Sequence, residues 1–308
     1  MGDAVTGSDR TPRDQGLRIR EASELLGVPA VTLRSWELRY GLPMTLRSDG
    51  GHRRYTEAAL IQLGLMRDEI ATGQQASDAA QRVRVLLDEL SPARARIDAV
   101  MAGSDRRDSS EIEAVLQESL DDRGLAATLD EVVLPAMRQI GSWWESGRCD
   151  VAQEQFTTAV VRGWLARMTT LAPPAASGQQ VLLATGPRDM HTLGIEALGA
   201  VLRTQGTGCR VLGARTSLRD LAAAVSATEP AAVVIVSHLS TQRRSAIESL
   251  ISVSHAECLT FYCGNAFLSP RSRQQVPGVY LGERMVEAAS LIQRAVPLAL
   301  PSYAPEAG

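Results

Sequence analysis

Apolar positions in residues 17–90 recur at helical spacing, in short stretches interrupted by a Gly- and Arg-rich segment. In residues 19–36, IREASELLGVPAVTLRSW, the side chains of Ala22, Leu25, Leu26, Val28 and Leu33 can close a small core around two helices. Gly27-Val28-Pro29 supplies the tight turn between them. The second helix is predicted at about 30–39. Asp49-Gly50-Gly51 is a hairpin signal, and residues 76–90 form one further short helix. Over 91–171 the pattern predicts longer amphipathic helices, with Leu116, Leu120, Leu134, Met137 and Ile140 at helical spacings. Pro173-Pro174 and the Ala-Ala-Ser-Gly that follows mark a linker.

Beyond the linker the rhythm changes. Short apolar runs at 180–185 (QVLLAT), 209–213, 231–236 (AAVVIV) and 258–262 (CLTFY) alternate with helical stretches. That alternation predicts a parallel sheet covered on both faces. Ligands of such sheets sit beyond the carboxyl ends of the strands, so the loops after each run are the places to look for chemistry.

Composition narrows the picture. The 308 residues suffice for two or three domains. The 44% hydrophobic content can furnish each with a core. The net charge of −3 confines any nucleic-acid contact to a local basic patch. All 32 basic residues are Arg, as a GC-rich coding bias would produce. Cys149, Cys209, Cys258 and Cys263 show no zinc-binding spacing. With no signal peptide and no 18-residue apolar run, the chain reads as a cytoplasmic protein of a reducing compartment that crosses no membrane.

The local basic patch lies at 17–56, where seven Arg stand against four acidic residues. Thr32, Arg34, Ser35 and Arg39 on the second helix suit phosphates and base edges in a major groove. Arg47, His52, Arg53 and Arg54 around the hairpin suit a wing on the DNA backbone. From composition alone, a small helical interaction domain with a solvated Arg loop stays open. The string RSWELRYGLP…GGHRRYTEAAL resembles the DNA-binding domain of the MerR family over roughly 70 residues. The resemblance implies that Arg34, Arg39, Tyr40, Arg53, Arg54 and Tyr55 contact or position double-stranded operator DNA, with Trp36 packed in the core. Such readers act as dimers. The short helix at 76–90 leaves dimerisation to the C-terminal half.

The loop after the first apolar run contains Asp189-Met190-His191-Thr192-Leu193-Gly194. This Asp-x-His-x-x-Gly resembles the lower-ligand loop of cobalamin-binding domains. The resemblance implies His191 as axial ligand to cobalt, Asp189 on the other ring nitrogen, and Gly194 where the helix approaches the corrin. Ser237-His238-Leu239 resembles the Ser-x-Leu lining of the nucleotide-tail cleft. Gly264 matches one glycine of the family's Gly-Gly turn, whereas Cys263 replaces the other and narrows the slot. His238 and His255 read as structural or exposed. Trp144 and Glu154, ten positions apart, resemble the upper-face cap of CarH/LitR-type light-dependent regulators. Gln155 stands where that cap has His, and Glu145 stands where characterised light sensors can carry a cobalt-capturing His, which excludes a two-histidine photoproduct at that position.

The expected architecture is multidomain: a disordered start (1–16), an all-α winged helix-turn-helix reader (17–90), a four-helix bundle (91–172), a linker (173–179), an α/β Rossmann-like, flavodoxin-like cobalamin-binding domain (180–300) and a tail (301–308). The expected function is transcription regulation controlled by adenosylcobalamin and by light. The expected partners are operator DNA and further copies of the chain, as a dimer or a ligand-dependent tetramer, with RNA polymerase as a further candidate. A degenerate sensor for another tetrapyrrole, for a partner protein or for no ligand stays open. A corrinoid enzyme component stays open too, although no nucleophile–base constellation and no substrate barrel are visible.

Overall fold

The computed structural model describes residues 16–47, 51–175, 180–256 and 258–296. The expected disordered start up to residue 15, Asp49 and Gly50 of the hairpin signal, residues 176–179 of the linker, residues 297–300 of the expected sheet domain and the tail (301–308) lie outside them. The chain divides into two compact units, Met1–Ala95 and Arg96–Gly308.

In the first unit, α1 (Ile19–Leu26) and α2 (Ala30–Tyr40) are separated by Gly27, whose φ of +65° ends α1. Ser23 Oγ ties the turn by donating to the Val28 carbonyl at 2.6 Å. Two short strands, β1 (Leu46–Arg47) and β2 (Arg53–Arg54), pair antiparallel and form the wing. Then come α3 (Glu57–Ala71), capped by the Thr56 hydroxyl, and α4 (Ala76–Glu89). Leu33, Trp36, Tyr55, Leu63 and Met66 form the interior with Ala22 and Leu26. Leu25, expected in that core, is 64% exposed because its helical position faces away from α2.

The second unit opens with α5 (Pro92–Arg106), whose first residues belong to the preceding unit, and α6 (Ser109–Arg123). The third helix of the bundle is α7 (Leu125–Thr128), a π turn (Leu129–Val133) and α8 (Leu134–Glu145) in succession. The fourth is α9 (Val151–Leu171). The sheet portion runs β3 (Gln180–Thr185), α10 (Leu193–Thr204), β4 (Gly208–Val211), α11 (Leu218–Thr228), β5 (Ala232–Val236), α12 (Arg243–Val253), β6 (Leu259–Cys263), β7 (Val279–Tyr280) and α13 (Met285–Ala295). The strand order is β4-β3-β5-β6-β7, all parallel. This is the doubly wound, flavodoxin-like order, with its switch point between β3 and β5.

Alternation along the strands separates two interiors. Val181, Leu183, Val234 and Val236 join α10, α13 and the bundle in one core, whereas Leu182, Ala184, Val233 and Ile235 join α11 and α12 in another. Bundle and sheet thus share a continuous interior. Polar contacts reinforce it. Asp130, in the π turn, accepts the backbone N–H groups of Met285 (2.7 Å) and Val286 (3.3 Å) and so caps α13. Arg162 of α9 donates to Thr192 Oγ1 (2.6 Å) and Glu196 (3.1 Å) at the start of α10.

Candidate functional site

The reader presents a basic cleft of about 370 Å³ lined by Arg18, Ile19, Arg34, Gly51, His52, Arg53 and Arg54. Arg34 and Arg39 are exposed on α2, opposite the buried Leu33 and Trp36, and Thr32, Ser35 and Tyr40 are half-buried. Arg47 and His52 are exposed at the wing, and Arg47 Nη1 donates to the Gly51 carbonyl at 3.3 Å. Glu37 fixes the wing to the helix. It accepts from Arg53 Nε at 2.5 Å and from Thr45 Oγ1 at 3.1 Å. Two roles escaped the sequence reading. Arg18, just ahead of α1, lines the cleft, and nothing in its local pattern distinguishes it from a solvated Arg. Glu37 was one more acid on a helix. One expectation is corrected: Tyr55 is fully buried, and its backbone exchanges two 2.9 Å hydrogen bonds with Leu17. Its ring supports the wing from within the core and does not face DNA. Burial, as the leading cause, also raises the Tyr55 phenol above its ordinary range.

The second site gathers at the carboxyl ends of β3, β5 and β6. The Asp189 side chain is buried, and its two oxygens serve two loops. Oδ1 accepts the His191 backbone N–H and the His191 Nδ1–H, each at 2.9 Å. Oδ2 accepts the His238 N–H at 2.8 Å, which links the loop after β3 to the loop after β5 across the switch point. Half of the His191 side chain remains exposed, and with Nδ1 engaged its Nε2 is the nitrogen left to act as a ligand. His238 lies beside it, ring centroids 4.7 Å apart. Burial first, then His191 and Arg138 of α8, hold the His238 imidazole below its usual range against the pull of Asp189.

The neighbouring loops meet at backbone level. The Ser237 N–H donates to the Cys263 carbonyl and the Ala266 N–H to the Ser237 carbonyl, both at 3.1 Å. Gly264 has φ +101°, and a Cβ there would lie 2.3 Å from the Ser237 oxygen, so only glycine fits. Ser237 is fully buried, yet its hydroxyl finds no hydrogen-bond partner among the described residues. A Cβ on Gly194 would meet no described atom within 4 Å, which leaves open space beside the start of α10. Met190 and Leu239 expose 54% and 40% of their surface around the same loops. An imidazole fixed by a carboxylate, an orphaned buried hydroxyl, open space at Gly194 and exposed apolar flanks together fit a corrinoid. Trp144, 51% exposed, and Glu154, which accepts from Thr158 Oγ1 at 3.1 Å, lie on the bundle helices α8 and α9. Glu145 and Gln155 are exposed.

Comparison with known proteins agrees with this geometry. Residues 18–55 match the MerR family regulatory protein description, and residues 94–168 match the B12 binding domain description. The HTH-type transcriptional repressor CarH of Myxococcus xanthus is 35% identical over 231 residues, covering 69% of this chain and 76% of that protein. The HTH-type transcriptional repressor CarA of the same organism is 30% identical over 243 residues, covering 77% and 80%. Among solved structures, the monomethylamine corrinoid protein of Methanosarcina barkeri superposes with a TM-score of 0.51 at 11% identity, over 65% of this chain and 98% of that one, a likeness of fold. No helix among the described residues is long and apolar enough to cross a membrane. With a MerR-type reader, a B12-binding region and these relatives across most of its length, the chain belongs to the MerR-type transcription regulators represented by CarH and CarA.

Proposed function

We propose that this chain is a transcriptional repressor that binds double-stranded operator DNA through α2 and the wing. Adenosylcobalamin, held through His191, sets its self-assembly and hence its grip on DNA. The observation that carries this reading is the buried Asp189, which spends both oxygens on orienting the loops of one half-exposed imidazole.

When bound, adenosylcobalamin would supply a cobalt able to take an imidazole ligand and a cobalt–carbon bond sensitive to light. The chain's own residues do the rest. Asp189 retains the Nδ1 proton of His191 and fixes the tautomer, so the Nε2 lone pair is presented as ligand. The Ser237 hydroxyl, the Gly264 backbone and Leu239 would hold the nucleotide tail. Gly194 would leave room for the corrin, and Trp144 and Glu154 of the bundle would help to hold it. On DNA, Arg34 and Arg39 reach into the groove while Arg47, His52, Arg53 and Arg54 neutralise phosphates. Two readers joined in a dimer, or four in a ligand-dependent tetramer, gain affinity through effective concentration, and separated subunits lose it.

Incubation with adenosylcobalamin in the dark, followed by desalting, tests the sensor. Wild type retains the visible corrin spectrum and His191→Ala loses it. A colourless wild type would sink the sensor while leaving the DNA reader standing. Gel filtration of the loaded protein, dark and illuminated, tests light control, for which a shift in elution volume is expected. One observation favours a second reading, corrinoid control without light. Glu145, an exposed carboxylate, follows Trp144 where an imidazole would be needed to hold cobalt after illumination. Retained corrin with unchanged elution on illumination would establish that alternative.

A further inference from the structure

His191 is steadied along one edge. Asp189 Oδ1 takes its backbone N–H and its Nδ1–H, and half of the side chain stays exposed. Those two bonds leave the ring able to rock about the line from Nδ1 to Oδ1. The ring of His238 lies against it, with centroids 4.7 Å apart and planes 31° from parallel, within the range of a favourable aromatic contact. His238 is the better anchored of the two. Its N–H donates to Asp189 Oδ2 at 2.8 Å, and the Asn265 side-chain amide lies 3.4 Å from its Nδ1. The preceding Ser237 is tied at both backbone groups, its N–H to the Cys263 carbonyl and its carbonyl to the Ala266 N–H, each at 3.1 Å. One buried carboxylate therefore places both imidazoles, and the fixed ring backs the looser one.

We propose that His238 is a positioning residue for corrinoid binding: its ring backs the His191 imidazole and limits how far Nε2 can swing. The inference rests on the corrinoid reading above and adds a residue to it. A half-exposed side chain loses rotational freedom when it becomes a ligand, and that loss weakens the complex. A neighbouring ring already in place removes part of the loss beforehand. The ring, and not the peptide group, carries this role. Asp189 Oδ2 bonds the His238 backbone, so a substitution at 238 keeps that link unless the new residue is proline, whereas an aromatic residue is needed to keep the ring contact. Asp189 and His238 thus restrain different freedoms of His191, the first its tautomer and the second the plane of its ring.

Equilibrium dialysis of the full chain with adenosylcobalamin in the dark compares wild type with His238→Ala, His238→Gln and His238→Phe. Electron paramagnetic resonance of the same proteins loaded with cob(II)alamin reads which nitrogen sits on cobalt. The histidines carry heavy nitrogen, whose spin splits each line in two where the cofactor's own base splits it in three. His238→Ala should weaken binding about three- to ten-fold, as the loss of an aromatic contact implies, and lower the histidine-bound fraction. His238→Gln keeps polarity without the ring and should behave alike; it decides the matter if the alanine variant does not fold. His238→Phe keeps a ring and should restore both readings. Wild-type behaviour of the alanine and glutamine variants, or no restoration by phenylalanine, would overturn the role of His238. Weaker binding with an unchanged histidine-bound fraction would overturn action through His191. A wild type that holds no corrinoid would overturn the corrinoid reading and this inference with it.

Discussion

Replacing Asp189 with Asn keeps the shape of the side chain and removes one acceptor, so it isolates the job of the carboxylate. In the native protein Oδ1 takes two N–H groups of His191 and Oδ2 takes the His238 N–H at 2.8 Å, with the side chain 1% exposed. The amide would turn its oxygen toward His191, where two bonds are at stake, and its NH₂ would then face the His238 N–H. A buried donor left facing another donor costs about 1–3 kcal/mol. In a folded unit of this size each kcal/mol lowers Tm by about 2–4 °C, so D189N should melt roughly 2–12 °C below wild type. Circular dichroism without any cofactor reads that loss. Corrinoid affinity should drop as well, by about 10–100-fold, because a neutral amide oxygen accepts the Nδ1–H more weakly than a carboxylate and leaves the imidazole a less basic ligand. If D189N melts with wild type and retains corrinoid equally, the carboxylate is not what organises these loops, and the reasoning about His191 fails.

Arg34→Ala should weaken operator binding and reduce the slope of log affinity against log salt by about one, as fluorescence anisotropy across a salt series would reveal; an unaltered slope and affinity would remove Arg34 from the interface. Gly264→Ala forces a Cβ to within 2.3 Å of the Ser237 oxygen at a left-handed φ, so urea unfolding should show a loss of about 2–6 kcal/mol. Gly194→Ala, whose Cβ would enter open space, should leave stability within about 1 kcal/mol of wild type while impairing corrinoid retention. Burial raises the Cys209 thiol from 9.0 to about 11, so the folded state keeps a proton that the unfolded chain releases; stability is intact below pH 9 and declines as the pH rises through 9 to 11, and Cys209→Ala should flatten that decline in urea midpoints.

Much of the fold was legible because its signals are periodic. The runs at 180–185, 209–213, 231–236 and 258–262 fall on β3 to β6 with offsets of a residue or two. The fifth strand, Val279–Tyr280, was not legible: two residues show no alternation, and its pairing with Phe261 and Tyr262 is a tertiary event. The π turn at Leu129–Val133 was hidden for a related reason, since its apolar spacing looks like continuing α-helix. At the sites, the resemblance of Asp-x-His-x-x-Gly to a cobalamin loop implied Asp189 on the His191 ring, and the two side chains do meet. It could not foresee that Asp189 also holds His238, 49 residues away, or that Glu37 anchors Arg53, because such pairs depend on how distant loops meet. Tyr55 was misplaced by its company. The resemblance put it with Arg53 and Arg54 at the DNA, but its backbone bridges to Leu17 and its ring is buried.

The shared interior of bundle and sheet bears on how this protein is dissected and inherited. Leu129, Val133, Trp164 and Leu165 belong to the same apolar mass as Val181, Leu198 and Ile292, and Asp130 seals the first turn of α13 from the far side of that mass. A scissile site after α9, inviting as its prolines make it, would bare a wet, greasy wound on both fragments. Gene fusion or shuffling should therefore move Arg96 onward as one cassette, and a shift of the α8–α9 pair cannot stay private to the helices but must tug on the strands beneath.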